Sequence, residues 1–116
     1  MEELSETAQG TLFNKGDYEF VVADTYEDGN KSTLRLRIDA DSLEMRRSGN
    51  SNATMQFKEN ASREAVYNTP YGTLCFEIET KKLDIVKSKD IKIRTEYLLK
   101  SNTEIVSSHE LSIEII

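Results

Sequence analysis

The chain has 116 residues with no tryptophan, one proline, one cysteine and one histidine. The single Cys75 excludes a disulfide framework within the chain and suits a reducing cytosol. With one His and one Cys, the usual Cys/His zinc sites lack ligands, so no metal and no cofactor is expected. No apolar run approaches the roughly 18 residues of a membrane-spanning helix, and Met1-Glu2-Glu3-Leu4 has no signal-peptide pattern, so a cytoplasmic protein is expected. Positive charge is also short, with 15 Lys+Arg against 21 Asp+Glu and a net charge of -6. Nucleic acid and anionic membranes, whose phosphates require a basic face, are disfavoured as partners. At 13.2 kDa there is room for one domain, residues 1–116, with 1–6 expected as a flexible lead-in.

What the sequence has in abundance is a period of two. Leu34, Leu36 and Ile38 alternate with Thr33, Arg35 and Arg37. Leu74, Phe76 and Ile78 alternate with Cys75, Glu77 and Glu79, and Leu111, Ile113 and Ile115 with Glu110, Ser112 and Glu114. Successive strand side chains point to opposite faces, so each run has one apolar and one wet side, as in antiparallel strands covered on one face. No long stretch shows apolar spacing of three and four, and no long helix is expected.

Turn chemistry separates the runs at Asn14-Lys15-Gly16, Glu27-Asp28-Gly29-Asn30, Asp39-Ala40-Asp41, Ser48-Gly49-Asn50-Ser51-Asn52 and Glu59-Asn60-Ala61-Ser62. Thr69-Pro70-Tyr71-Gly72 has the Pro and Gly placement of a type I turn, and Lys87-Ser88-Lys89-Asp90 and Lys100-Ser101-Asn102-Thr103 complete the series. Strands are expected over 7–13, 17–24, 31–38, 42–47, 53–58, 63–68, 73–80, 82–86, 90–99 and 104–115, with 73–80 and 82–86 joined as one bent strand if Lys81 is a kink. Short strands at hairpin spacing predict an all-β antiparallel meander, a closed or nearly closed barrel of about eight to ten strands. A two-sheet sandwich is the alternative, disfavoured because every loop is too short for a Greek-key crossover.

If the apolar register marks the interior, polar residues in that register face inward and need partners. Leu43 and Met45 lead to Arg47; Ile91 and Ile93 to Thr95 and Tyr97; Leu111 back to His109 and Ser107; Ala65 to Tyr67; Ile78 to Thr80; and Tyr18, Phe20 and Val22 to Asp24. Arg47 admits two readings. Its stem covers apolar surface at a strand end with its head in water or on Asp24, or it clamps a carboxylate or phosphate at a cavity mouth. Ser107, His109 and Asp24 contain the residue types of a Ser-His-Asp set. Ser107 and His109 are two apart on one strand, however, and no nucleophile elbow or glycine-rich oxyanion turn is visible, so catalysis is not expected. Cys75 falls among outward glutamates, where a reactive thiolate is not expected.

Met45-Arg46-Arg47-Ser48-Gly49, Met55-Gln56-Phe57, Tyr67-Asn68-Thr69-Pro70-Tyr71-Gly72-Thr73-Leu74, Glu79-Thr80, Tyr97-Leu98-Leu99 and Leu111-Ser112-Ile113-Glu114-Ile115 occur in that order. Together they resemble the YwiB-like family of small bacterial proteins, a domain-of-unknown-function family. The resemblance implies a calycin-like (lipocalin-like) β-barrel and a bacterial, cytoplasmic setting, with no activity to transfer. It directs attention to Arg47 and Gly49 and to the turn residues Thr69, Pro70, Tyr71 and Gly72. Family members usually begin with about one more strand, and an absent first strand here would leave the barrel nearly closed rather than closed. An open edge would invite pairing with a second copy.

The sequence thus supports a non-enzymatic barrel. In one form it holds a small apolar or anionic ligand in a lumen lined by Met45, Met55, Phe57, Leu74, Phe76 and Ile93, with Arg47, Tyr67, Tyr97, His109 and Asp24 as polar candidates. In the alternative form the core is filled and the protein is a structural or interaction module, acting through its outer surface or an open-edge homodimer.

Overall fold

Ribbons with one apolar face bury it most completely by curling that face inward on itself. The computed structural model describes residues 2–27, 29–49 and 52–116. Met1, Asp28 and Asn50-Ser51 lie outside the described residues, as does the side chain of Glu27. The described residues form nine strands: β1 (Glu2–Asn14), β2 (Glu19–Glu27), β3 (Asn30–Ile38), β4 (Ser42–Ser48), β5 (Asn52–Lys58), β6 (Ala61–Thr69), β7 (Gly72–Lys87), β8 (Ile91–Ser101) and β9 (Glu104–Ile115). They make one closed barrel in chain order, as the alternation predicts.

Sequential neighbours are antiparallel throughout, whereas β1 and β9 pair in parallel, from Glu2 beside His109 to Ala8 beside Ile115. Parity requires this departure from a purely antiparallel meander. With an odd number of strands running up and down, the first and the last point the same way. The closing partner is the segment expected to be a lead-in. Residues 2–6, with the two that follow, supply the β9 half of β1, so the barrel closes and the lead-in is part of a strand. The β1–β2 ladder begins only at Gln9 opposite Asp24 and ends at Asn14 opposite Glu19. Strand β1 therefore lies diagonally, paired to β9 through its first half and to β2 through its second.

Two local irregularities adjust the wrap. Lys81 is an extra residue between Thr80 and Lys82 in the β7–β8 ladder, so 73–80 and 82–86 are one kinked strand. The buried Thr95 hydroxyl donates to the Lys82 carbonyl at 2.8 Å beside this bulge. Val106 is skipped in the β8–β9 ladder, where Leu99 faces Ser107 and Lys100 faces Ile105.

The core follows the inward register. Val21, Leu34, Leu36, Leu43, Phe57, Ile78, Ile93 and Ile113 are sealed from solvent, each side chain contributing about 1.5–3 kcal/mol of transfer free energy. Strand β2 corrects the sequence reading. Val21, Ala23 and Thr25 face in, and Tyr18, Phe20 and Val22 do not. Both faces of Phe20–Ala23 are apolar, so alternation there has no preferred phase. The outward Tyr18 ring instead carries the Arg37 guanidinium 4.0 Å from its centroid.

Gly10 sits where β1 leaves β9 for β2. A Cβ there would stand 2.9 Å from both the Ala23 Cβ and the Val22 carbonyl oxygen, and 3.0 Å from the Ile115 Cγ2. Gly10→Ala should force the three strands apart and lower unfolding free energy by about 1–3 kcal/mol, measured by urea denaturation. An unchanged midpoint would show that this approach is not tight.

Candidate functional site at the barrel mouth

The inward register is dry at one end of the barrel and opens at the other. On β7, buried Ile78 gives way to half-buried Phe76 and then to Leu74, which is 51% exposed. On β1, buried Ala8 is followed toward the chain start by half-buried Glu6 and by Leu4, which is 41% exposed. On β4, Leu43 and Met45 are buried and Arg47 is half-buried. The β2–β3, β4–β5, β6–β7 and β8–β9 turns ring this mouth. Before Gln9, β1 has no ladder to β2 among the described residues, so one wall is open in its backbone pairing.

Side chains bridge that wall. Arg47 donates from both terminal nitrogens to Glu6, at 2.7 and 2.6 Å, and from Nη1 to the Thr25 hydroxyl at 3.3 Å. One guanidinium thereby ties β4 to β1 and β2, and its planar fork matches the carboxylate. Gly49, two residues on, lets the chain pass over buried Ser32, whose hydroxyl would lie 2.7 Å from a Cβ at that position. The sequence reading offers Asp24, water or an anionic guest for the Arg47 head. The Asp24 carboxylate instead faces outward, half exposed, and meets Lys31 at 3.5 Å, because the phase of β2 is the opposite of the one inferred. Asp24 is therefore not part of the mouth.

The remaining polar candidates cluster on β6, β8 and β9. The Tyr97 ring stacks on the His109 imidazole at 5.1 Å between centroids and meets Phe57 edge-on at 5.2 Å. Burial pushes the Tyr97 hydroxyl up to about 12, with Tyr67 and Glu2 adding to the rise. Tyr67 is raised by burial as well. Its hydroxyl donates to the Met55 sulfur at 3.6 Å, and its ring lies edge-on to Phe76. His109 Nε2 is 2.6 Å from the Ser107 hydroxyl, and Nδ1, buried and without a hydrogen bond, is 3.7 Å from the Glu2 carboxylate.

The structure thus brings Tyr67, Tyr97 and His109 together and places Arg47 on the same inward side, across Ala53 from Tyr67 in the strand register. The turn residues do structural work. Thr69 Oγ1 accepts from the Tyr71 N–H at 3.2 Å and donates to the Gly72 carbonyl at 2.9 Å, while the Tyr71 ring is fully exposed. Gly72 has a φ of 133°, a conformation that favours glycine. Sequence reasoning missed Glu2, Glu6 and Thr25. Glu2 and Glu6 fell in the supposed lead-in, although Glu2, Leu4, Glu6 and Ala8 already alternate in phase with the interior.

Two outcomes test this geometry. Glu6→Ala should destabilise the fold by about 1–3 kcal/mol, because it strands a half-buried guanidinium. The double variant Glu6→Leu/Arg47→Met should recover much of that loss in urea melts. For Tyr97, the folded value lies above the unfolded one near 10, so its contribution to stability is complete below about pH 10 and is lost as pH rises toward about 12. The stability difference between wild type and Tyr97→Phe should change over that window and stay flat from pH 7 to 9.

Comparison with known proteins follows the same lines. No curated protein matches the chain. Among solved structures, the ywiB protein from Bacillus subtilis superposes with a TM-score of 0.67 at 20% sequence identity, over 78% of this chain and 64% of that one. This chain thus spans just under two thirds of the length of that structure, and the likeness is one of fold, consistent with the calycin-like barrel that the family resemblance implies. A family model described as Domain of unknown function (DUF1934) matches residues 1–113, almost the whole chain, and the protein belongs to that family.

Proposed function

We propose that the protein is a carrier or sensor barrel that holds a small, mainly apolar ligand at its open mouth. The observation that carries this reading is the exposure of Leu4 and Leu74. Both occupy inward register, yet both remain about half exposed, Leu74 opposite half-buried Tyr67 on β6 and Leu4 opposite Leu111 on β9. Apolar surface facing the inside of a barrel and still wet is what a ligand's own apolar surface would cover. Tyr67, Tyr97 and His109 add rings and a few polar atoms that orient a guest. The anionic form of the ligand is less well supported, because the Arg47 fork is already filled by Glu6. The deep interior is packed by Phe57, Leu34, Leu36 and Ile78, so the guest sits shallowly rather than in a full-length lumen. A lone exposed Cys75 suits a reducing, cytoplasmic setting for this role.

The test uses the neutral fluorescent probe N-phenyl-1-naphthylamine. Saturable binding that is lost in Leu74→Lys, with the fold unchanged by circular dichroism, is the expected result. Native mass spectrometry of freshly purified protein should also show a retained small molecule. A clean apo mass together with non-saturable probe fluorescence overturns the reading.

The second reading, a module that pairs with another chain, draws on the first half of β1. Glu2–Ala8 pairs with β9 on one side and lies beyond the β2 ladder on the other, so a short backbone edge remains where a second copy could add. Sedimentation velocity at rising concentration separates the two. A strict monomer removes the pairing.

A further inference from the structure

We propose that Ser107, His109 and Glu2 form an acyl-transfer relay at the barrel mouth, with Ser107 as an activated nucleophile toward esters of small apolar acids. Activating a serine requires a base at hydrogen-bond distance from its hydroxyl and a third group that holds the base in the right tautomer. Ser107 Oγ lies 2.6 Å from His109 Nε2, and the Glu2 carboxylate lies 3.7 Å from Nδ1. A proton on Nδ1 faces that carboxylate, which leaves the Nε2 lone pair to accept from the serine hydroxyl. The stacked Tyr97 ring fixes the plane of the imidazole. The set is assembled by closure of the barrel. Ser107 and His109 share a face as alternate residues of β9, and the parallel seam puts Glu2 opposite His109. Ser107 itself is half-buried and in contact with solvent.

In the reaction, Ser107 Oγ attacks the ester carbonyl carbon and its proton passes to His109 Nε2. The Oγ–C bond forms, the bond to the leaving oxygen breaks, and the leaving oxygen takes the proton back from Nε2. Water then adds to the acyl carbon, giving its proton to Nε2. The acyl–Oγ bond breaks, Ser107 recovers a proton, and the carboxylic acid leaves. From His109 onward β9 is laddered to both β8 and β1, so the N–H groups there are committed and supply no oxyanion hole. Turnover is accordingly slow, and accumulation of the acyl-serine is the signature. The choice of an apolar acyl group rests on the mouth reading above; the nucleophile does not.

The full chain is treated with 4-nitrophenyl butyrate, and acylation is followed by intact mass and peptide mapping. Ser107 of the folded protein should acylate at least about 100-fold faster than in the urea-unfolded chain. His109→Gln should lose about 100-fold, and Glu2→Gln about tenfold, as expected for an orienting group at a loose distance. Ser107→Ala, a one-atom deletion at a wet position, should remove the butyryl adduct yet keep naphthylamine binding. Acylation confined to lysines, Ser108 or His109, or a Ser107 rate equal to that of the unfolded chain, overturns the relay. Loss of naphthylamine binding with Ser107 acylation intact would instead count against the mouth reading alone.

Discussion

Closing a nine-stranded ring requires the two ends of the chain to lie side by side, and the whole mouth depends on that seam. Residues 2–8 bring no large apolar side chain except Leu4, and they gain their place through seven backbone pairings with β9. The seam sets Glu2 beside His109 and Glu6 beside Ile113, from where its carboxylate reaches Arg47. Remove it and β9 becomes an edge, Arg47 loses its fork partner, and His109 loses the group facing Nδ1.

The diagonal run of β1 explains why the mouth is both polar and open. A strand cannot pair fully with β9 and β2 at once while it changes neighbours, and Gly10 marks the changeover because only a residue without a Cβ fits between Ala23 and Ile115. Below it the wall is a complete sheet with a dry core. Above it the Glu6–Arg47 ion pair and the Thr25 hydroxyl bridge the wall. Half-buried charges in a slot of this kind are held by each other, so the Glu6–Arg47 pair contributes chiefly by fixing where β1 lies rather than by net stabilisation. It also occupies the guanidinium that an anionic guest would need.

The same argument orders the functional readings. A ligand at the mouth uses wet apolar residues in inward register, and a second copy at the seam uses the unpaired edge of Glu2–Ala8. The Ser107–His109–Glu2 set uses the imidazole that the seam buries. All three rest on one region, since the rest of the barrel is a packed core with charged pairs on its outside, such as Lys100 and Lys81 about Glu79.

What the sequence determined by itself is local. Strand positions, turn positions and the inward placement of Arg47, Thr80, Thr95, Tyr67, Tyr97 and His109 follow from side chains alternating across a ribbon, which neighbouring residues alone reveal. Where both faces are apolar, as at Phe20–Ala23, alternation has no phase, and the inward reading of Asp24 fails because its carboxylate lies outside. Only the tertiary structure decided the parallel seam, the strand made from residues 2–8, and the pairing of Arg47 with Glu6, 41 residues away, rather than with Asp24. Register between the chain's first and last residues depends on the count of strands between them and on the bulges at Lys81 and Val106. Those quantities belong to the closed ring and are carried by no segment of it.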